Sequence, residues 1–140
     1  MVACALPAYA EKTMETDIAV VGGGLSGLSA ATQATQLGAK VVVLEKQAKV
    51  GGTGLFCEGV FAAESKLQKR IGINVTKDFA YKLIMEYSHW KANSALAKHF
   101  VDRSAETVDW LDSMGIKIED IGVGGHGGPL TWHVIAPGPD

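Results

Sequence analysis

Gly22-Gly23-Gly24-Leu25-Ser26-Gly27 and, on the far side of a helical stretch, Glu45 are the residues of this 140-residue chain whose types and spacing best suit chemistry. Glycines at the first, third and sixth positions of the turn remove Cβ atoms where a phosphate has to approach the backbone. Gly22 permits a tight turn, Gly24 admits a pyrophosphate, and Gly27 lets a helix pack closely on a sheet. The phosphates then rest on the positive N-terminal end of that helix. Glu45 is placed to accept hydrogen bonds from the two hydroxyls of an adenosine ribose, and its charge repels a 2′-phosphate. The chemistry is therefore the holding of a dinucleotide, with an NADP-type ligand disfavoured. By itself the turn serves NAD and FAD alike.

Other chemistries have less support. Cys4 and Cys57 are the two cysteines, without CxxC spacing or neighbouring His ligands, so zinc, iron–sulfur and haem sites are not expected, nor is a structural disulfide. A net charge of −2 with no clustered basic run gives no reason to expect a nucleic-acid partner. The sequence has no apolar run of transmembrane length. A chain of this size could bury about two-thirds of its unfolded surface if it closed a core.

The elements that position the turn follow from periodicity. Asp17 to Val21 is continuously apolar after its first residue, as in a parallel strand buried on both faces. Leu25 to Leu37 reads as a helix with Leu25, Leu28, Ala31, Ala34 and Leu37 on one face and Gly38 as its stop. Lys40 to Leu44 is the second parallel strand, delivering Glu45 at its tip. Gly51-Gly52-Thr53-Gly54 reads as a loop too glycine-rich for regular structure, and Leu55 to Ala63 as a small, apolar segment that packs. Thr76 caps a helix through Tyr87 with Phe79, Leu83 and Ile84 as its apolar face. A longer helix from Asn93 to Met114 lines up Leu96, Phe100, Val108 and Leu111 and stops at Gly115. Trp90 and Trp110 read as packing residues, Ile116 to Ile118 as a short strand, and Gly122 to Asp140 as a Gly/Pro-rich tail with nothing periodic to bury.

Residues 1–13 stand apart. Ala8-Tyr9-Ala10 has the small-x-small form read by signal peptidase, although no basic run precedes the apolar Val2 to Pro7. Export to a periplasm or cell envelope and cytoplasmic residence with a disordered tail both stay open. The domain proper is then 14–140.

The fingerprint, Leu44-Glu45-Lys46, Val50-Gly51-Gly52-Thr53 and Glu58-Gly59 together resemble the flavoprotein family of fumarate reductases and succinate dehydrogenases, above all its soluble single-subunit bacterial branch. Ala97 to Gly115 is similar to the family's helix before its substrate-facing loops, and the likeness runs from residue 15 to about 125. The resemblance implies a Rossmann-like α/β FAD-binding domain with a parallel sheet. It implies that the capping domain and the returning FAD-domain segment lie beyond Asp140, together with the catalytic residues. The implied cofactor site comprises the turn glycines Gly22 and Gly24, Ser26 and Gly27 at the pyrophosphate, Glu45 at the adenosine ribose, and Lys46. Gly51, Gly52, Thr53, Gly54, Glu58 and Gly59 are implied at the ribityl chain and isoalloxazine side. No His lies between Gly51 and Gly59, so the FAD is expected to be non-covalent. The implied reaction is hydride transfer between flavin N5 and an activated C=C bond of an unsaturated acid-like small molecule, with electrons from an unidentified donor.

The family's usual His-Arg-Pro segment is replaced by Leu130-Thr131-Trp132-His133-Val134, which marks a divergent branch. His126 and His133 read as exposed loop histidines and Cys57 as a packed thiol. Two alternatives stay open: a truncated, catalytically inactive flavin-binding fragment, and an NAD-binding Rossmann module.

Overall fold

In a computed structural model of the chain, residues 13–123 and 127–136 are described; Cys4, the Ala8-Tyr9-Ala10 tripeptide and His126 lie outside them. The chain divides into two compact units, Met1–Phe56 and Cys57–Asp140.

The first unit is a strand–helix–strand. β1 (Ile18–Val21) and β2 (Val41–Leu44) pair in parallel, Ile18 opposite Val41 and Val21 opposite Leu44. Between them runs α1 (Leu25–Gln36), which starts at Gly24 and ends at Leu37, followed by Gly38 at φ +92°. That left-handed conformation favours glycine and stops the helix where the sequence places the stop. Only Ala31 of α1 is buried, so the expected apolar face is narrower than it reads: Leu25 and Leu37 at its two ends are exposed. The segment Gly52–Phe56 is not an open loop but a short 3₁₀ helix.

The second unit opens with β3 (Gly59–Phe61), followed by α2 (Lys66–Arg70), α3 (Lys77–Tyr87) and α4 (Ser94–Ser113). It finishes with β4 (Ile118–Val123) and β5 (Leu130–Ile135). The three strands form an antiparallel sheet in the order β3-β5-β4. The tail expected to lack a buried pattern therefore supplies the central strand of a sheet. Leu130 to Ile135 is rich in β-branched and aromatic residues, a strand signal that the flanking Gly and Pro residues mask.

Helix starts follow sequence chemistry. Thr76 Oγ1 accepts the Phe79 N–H at 3.1 Å, and Asn93 Oδ1 accepts the Leu96 N–H at 3.0 Å. The buried faces do not follow the largest residues. On α3 the buried residues are Ala80 and Met85, while Phe79 is 51% exposed; on α4 they are Ala97, Val101, Ser104 and Val108, while Leu96 is 68% exposed. The stripe 97, 101, 104, 108 is a helical face of small residues, and smallness is what close approach to the turn after β3 requires. There Ala62 and Ala63 are fully buried, and the Ala63 N–H donates to Ser104 Oγ at 3.1 Å. The core joins Ala63, Val75, Ala80 and Val101, flanked by Phe61, Ile73, Tyr81 and Ile84, with Phe61 stacked on Phe100 at 5.1 Å. Trp90 is not a packing residue: it is 62% exposed and sits with His89 in the left-handed region between α3 and α4. Trp110 is half-buried.

Candidate functional site

The glycine turn joins β1 to α1, and each of its glycines has a separate physical reason. Gly22 has φ +102°, a conformation costly for any residue with a Cβ. A Cβ on Gly27 would overlap the Gly22 carbonyl oxygen. The turn could not close with any larger residue there. Gly24 is different: its backbone is extended at φ −76°, ψ 179°, and a Cβ there would meet nothing within 4 Å. Among the described residues nothing requires glycine at position 24. The space beside it is the cradle that a close-approaching anion needs.

Donors converge on that cradle. Helix geometry leaves the N–H groups of Leu25, Ser26 and Gly27 without intrahelical acceptors, since the first i→i−4 bond is Leu28 N–H to the Gly24 carbonyl at 2.9 Å. Gly24 provides no side-chain cap, and the first turn carries no acid to compete for the positive helix end. Gly51 is brought alongside, forming a parallel bridge with Gly24 and donating its N–H to the Gly23 carbonyl at 2.6 Å. Gly52, at φ +55°, places its Cβ position 3.5 Å from Gly24 Cα. Gly51 to Gly54 thus lines the turn closely with bare backbone, while Thr53 is exposed beside it.

Glu45 stands at the end of β2 and is tied to the turn. One carboxylate oxygen accepts the Gly23 N–H at 2.6 Å and the other accepts the Gln47 N–H at 2.8 Å. The Gln47 N–H, then the Gly23 N–H, hold the carboxyl below the usual carboxylate range, with a smaller contribution from the Lys46 charge. A depressed folded pKa stabilises the fold above the unfolded value of 4.5, and that contribution is lost as pH falls through the folded pKa. Each carboxylate oxygen keeps a further lone pair for a sugar hydroxyl. Lys46 is exposed next to it. Replacing Glu45 with Ala is expected to weaken dinucleotide binding by roughly 10- to 100-fold, the worth of one or two charge-assisted hydrogen bonds. Titration of the purified apoprotein, followed by flavin fluorescence, measures it.

Glu58 and Gly59 belong to the second unit. Glu58 is exposed, whereas Gly59 is buried in β3, where a Cβ would lie 2.5 Å from the His133 carbonyl oxygen and 2.7 Å from Trp132 Nε1. Packing against β5 therefore accounts for glycine at position 59. Cys57 is not a packed thiol but an exposed one, its Sγ donating to the Gly59 carbonyl at 2.8 Å.

His133 is likewise not an exposed loop residue. It is fully buried, with Nε2 2.7 Å from Ser65 Oγ and Nδ1 3.1 Å from the Thr131 carbonyl. Ser65 and Gln68 complete this cluster and escape a reading of the chain by apolar periodicity. Their signal is local: Ser65-Lys66-Leu67-Gln68 is a capping-box sequence, and both of its reciprocal hydrogen bonds form.

Comparison with known proteins agrees with this geometry. The sequence pattern of the family described as the FAD binding domain matches residues 17–138. The chain is 42% identical over 118 residues to a vinyl phenol reductase of Lactiplantibacillus plantarum, covering 84% of this chain and 24% of that protein. It is 37% identical over 106 residues to an NADH:fumarate oxidoreductase of Klebsiella pneumoniae, covering 75% of this chain and 12% of that protein. In structure it matches the open conformation of a flavocytochrome c3 fumarate reductase with TM-score 0.74 and 26% identity, over 87% of this chain and 22% of that one. The chain thus spans about a quarter or less of the length of these relatives. A strand–glycine turn–helix with an acid on the second strand, an uncapped helix start and a family match across both units lead to one conclusion: the chain belongs to the FAD-binding domain family of the fumarate-reductase-like flavoproteins, and its cofactor is FAD.

Proposed function

We propose that residues 14–140 form the N-terminal part of the FAD-binding domain of a reductase acting on an activated carbon–carbon double bond. The observation that carries the cofactor site is Gly24, the one glycine of the turn that neither backbone conformation nor packing within the chain explains. In this reading the N–H groups at the start of α1, Ser26 and Gly27 among them, hold the pyrophosphate. Glu45, with Lys46 beside it, receives the adenosine ribose. Gly51, Gly52, Thr53 and Gly54 attend the ribityl and isoalloxazine side. The missing His between Gly51 and Gly59 supports non-covalent attachment.

Bound FAD would supply hydride transfer at N5. The residues of this chain bind and orient it. Fumarate and vinyl phenol, the compounds in the relatives' names, share a conjugated C=C bond. That supports an unsaturated small molecule as substrate, with an acid-like one the first choice, and leaves electrons to a donor outside this chain. The Ala8-Tyr9-Ala10 tripeptide supports export, with cytoplasmic residence the alternative.

The full-length protein tests the reading. Purified in native form, it is expected to carry FAD that acid precipitation releases quantitatively. With a reduced viologen dye as donor, it is expected to reduce at least one of fumarate, acrylate and vinyl phenol. Retention of NAD in place of FAD would overturn the cofactor assignment. Retention of FAD without turnover of any of the three would favour an inactive flavin-binding protein.

A further inference from the structure

His133 lies in a buried polar cluster where β5, the turn after β3 and the start of α2 meet. His133, Ser65 and Gln68 are all 0% exposed. The Thr131 carbonyl can only accept a hydrogen bond, so the contact at 3.1 Å places the proton of the neutral ring on Nδ1. Nε2 then accepts the Ser65 hydroxyl at 2.7 Å. Ser65 Oγ in turn accepts the Gln68 backbone N–H at 3.1 Å, which caps α2, while the Gln68 side chain accepts the Ser65 N–H at 2.9 Å. The Gln68 amide also donates to the Ala62 carbonyl at 3.1 Å and the Leu130 carbonyl at 2.8 Å. A neutral His133 thus fixes the direction of the Ser65 hydroxyl, and Ser65 and Gln68 tie the helix cap to both strands.

We propose that the Ser65–His133 pair is a proton-operated latch: the neutral imidazole holds the α2 cap and the turn after β3 onto β5, and a proton taken up at Nε2 releases them. An Nε2–H points at the position of the Ser65 hydroxyl hydrogen. The Ser65 hydroxyl hydrogen must then turn away from Nε2 and gives up the acceptor it has in the neutral cluster, next to a newly buried charge.

Among the described residues, no charged group on the surrounding elements is positioned to stabilise the imidazolium. Strand β3 has no charged residue, and Glu58 before it is exposed. On α2, Lys66, Lys69 and Arg70 are exposed, and Lys66 is paired with Asp109 of α4 at 3.0 Å. The buried face of α4 is Ala97, Val101, Ser104 and Val108. On β4, Glu119 and Asp120 are exposed, and Asp120 binds the Ile121 N–H at 2.7 Å. Glu64, in the turn, accepts the Lys77 N–H at 2.9 Å.

Burial lowers the proton affinity of His133, opposed in part by hydrogen bonding to the backbone of Thr131 and Val60. The latch is therefore at full strength above the ordinary His value of 6.5. It weakens as pH falls from there toward the lower folded pKa, because only the opened chain takes up the proton easily.

The latch assumes nothing about the cofactor, and hydrogen exchange on the full-length protein tests it. After correction for intrinsic exchange chemistry, amides of residues 62–70 and 130–135 are expected to lose about tenfold more protection than those of α4 between about pH 7.5 and about pH 5. A uniform loss across the second unit, or none, would overturn the proposal. So would an acid-specific loss that persists unchanged in His133→Gln. If that variant does not fold, the wild-type comparison of 62–70 with 94–113 decides alone.

Discussion

A Gly24→Asp protein is expected to fold as stably as the wild type and to bind FAD on the order of a thousandfold more weakly. The two effects separate because the new carboxylate satisfies the helix start in the empty protein and competes with the pyrophosphate for the same N–H groups. Gly24 is the N-cap of α1 in an ordinary extended conformation, and a side chain there enters open space. Aspartate is a favoured cap whose carboxylate accepts the N–H of the second or third helical residue, here Ser26 or Gly27. Those N–H groups are the ones the pyrophosphate would use, and a fixed negative charge at that position repels a diphosphate by about 4 kcal/mol at partly buried range. A change of that size is about a thousandfold in affinity. Gly27→Ala is the contrasting substitution. Its Cβ would overlap the Gly22 carbonyl oxygen, which is backbone and cannot move aside without opening the turn. It is expected to lose flavin binding through loss of the fold around β1 and α1. Flavin titration with a thermal melt of each apoprotein distinguishes them; a Gly24→Asp protein that retains FAD at wild-type affinity would remove the pyrophosphate from this turn.

The largest loss of stability from a single polar residue is expected at Gln68. Truncation to Ala strips partners from the Ser65 N–H and from the Ala62 and Leu130 carbonyls, groups at the seam of β3, α2 and β5. Orphaning buried groups costs about 1–3 kcal/mol each, so a combined loss of about 3–5 kcal/mol is expected. Gln68→Glu retains an acceptor for Ser65 but cannot donate to the two carbonyls and buries a charge, so it is not expected to rescue. Lys69→Ala, one residue on and exposed, is the control, expected within about 0.5 kcal/mol of wild type. Urea unfolding of the full-length protein followed by far-ultraviolet circular dichroism measures both. A Gln68→Ala protein within about 1 kcal/mol of wild type would mean that water replaces the lost amide in the cluster.

The glycine turn was legible because its signal is local. Positive φ at Gly22, close packing at Gly27 and a strand tip at Glu45 are requirements on single backbone positions, and residue type answers them directly. Helix caps at Thr76 and Asn93 are readable for the same reason. The buried faces of α3 and α4 were not. Periodicity identifies a stripe of large apolar residues and finds Val108, whereas the buried faces also take Ala80, Met85, Ala97, Val101 and Ser104, and Phe79 and Leu96 are turned outward. The strand at Leu130–Ile135 was obscured by its Gly- and Pro-rich surroundings, and its partners are distant in the chain: Gly59 pairs with Val134 and Phe61 with Trp132.

By itself the sequence determined the class of ligand, because a dinucleotide is held chiefly by backbone N–H groups and one carboxylate, and glycine spacing dictates where such groups become accessible. Tertiary structure decided which glycines serve packing and which do not. Gly24 faces open space, while Gly27 and Gly59 are pressed against backbone or an indole ring. It also decided that His133 is a buried partner of Ser65, since strand pairing and burial join residues 68 positions apart, and neither residue's local sequence specifies the other.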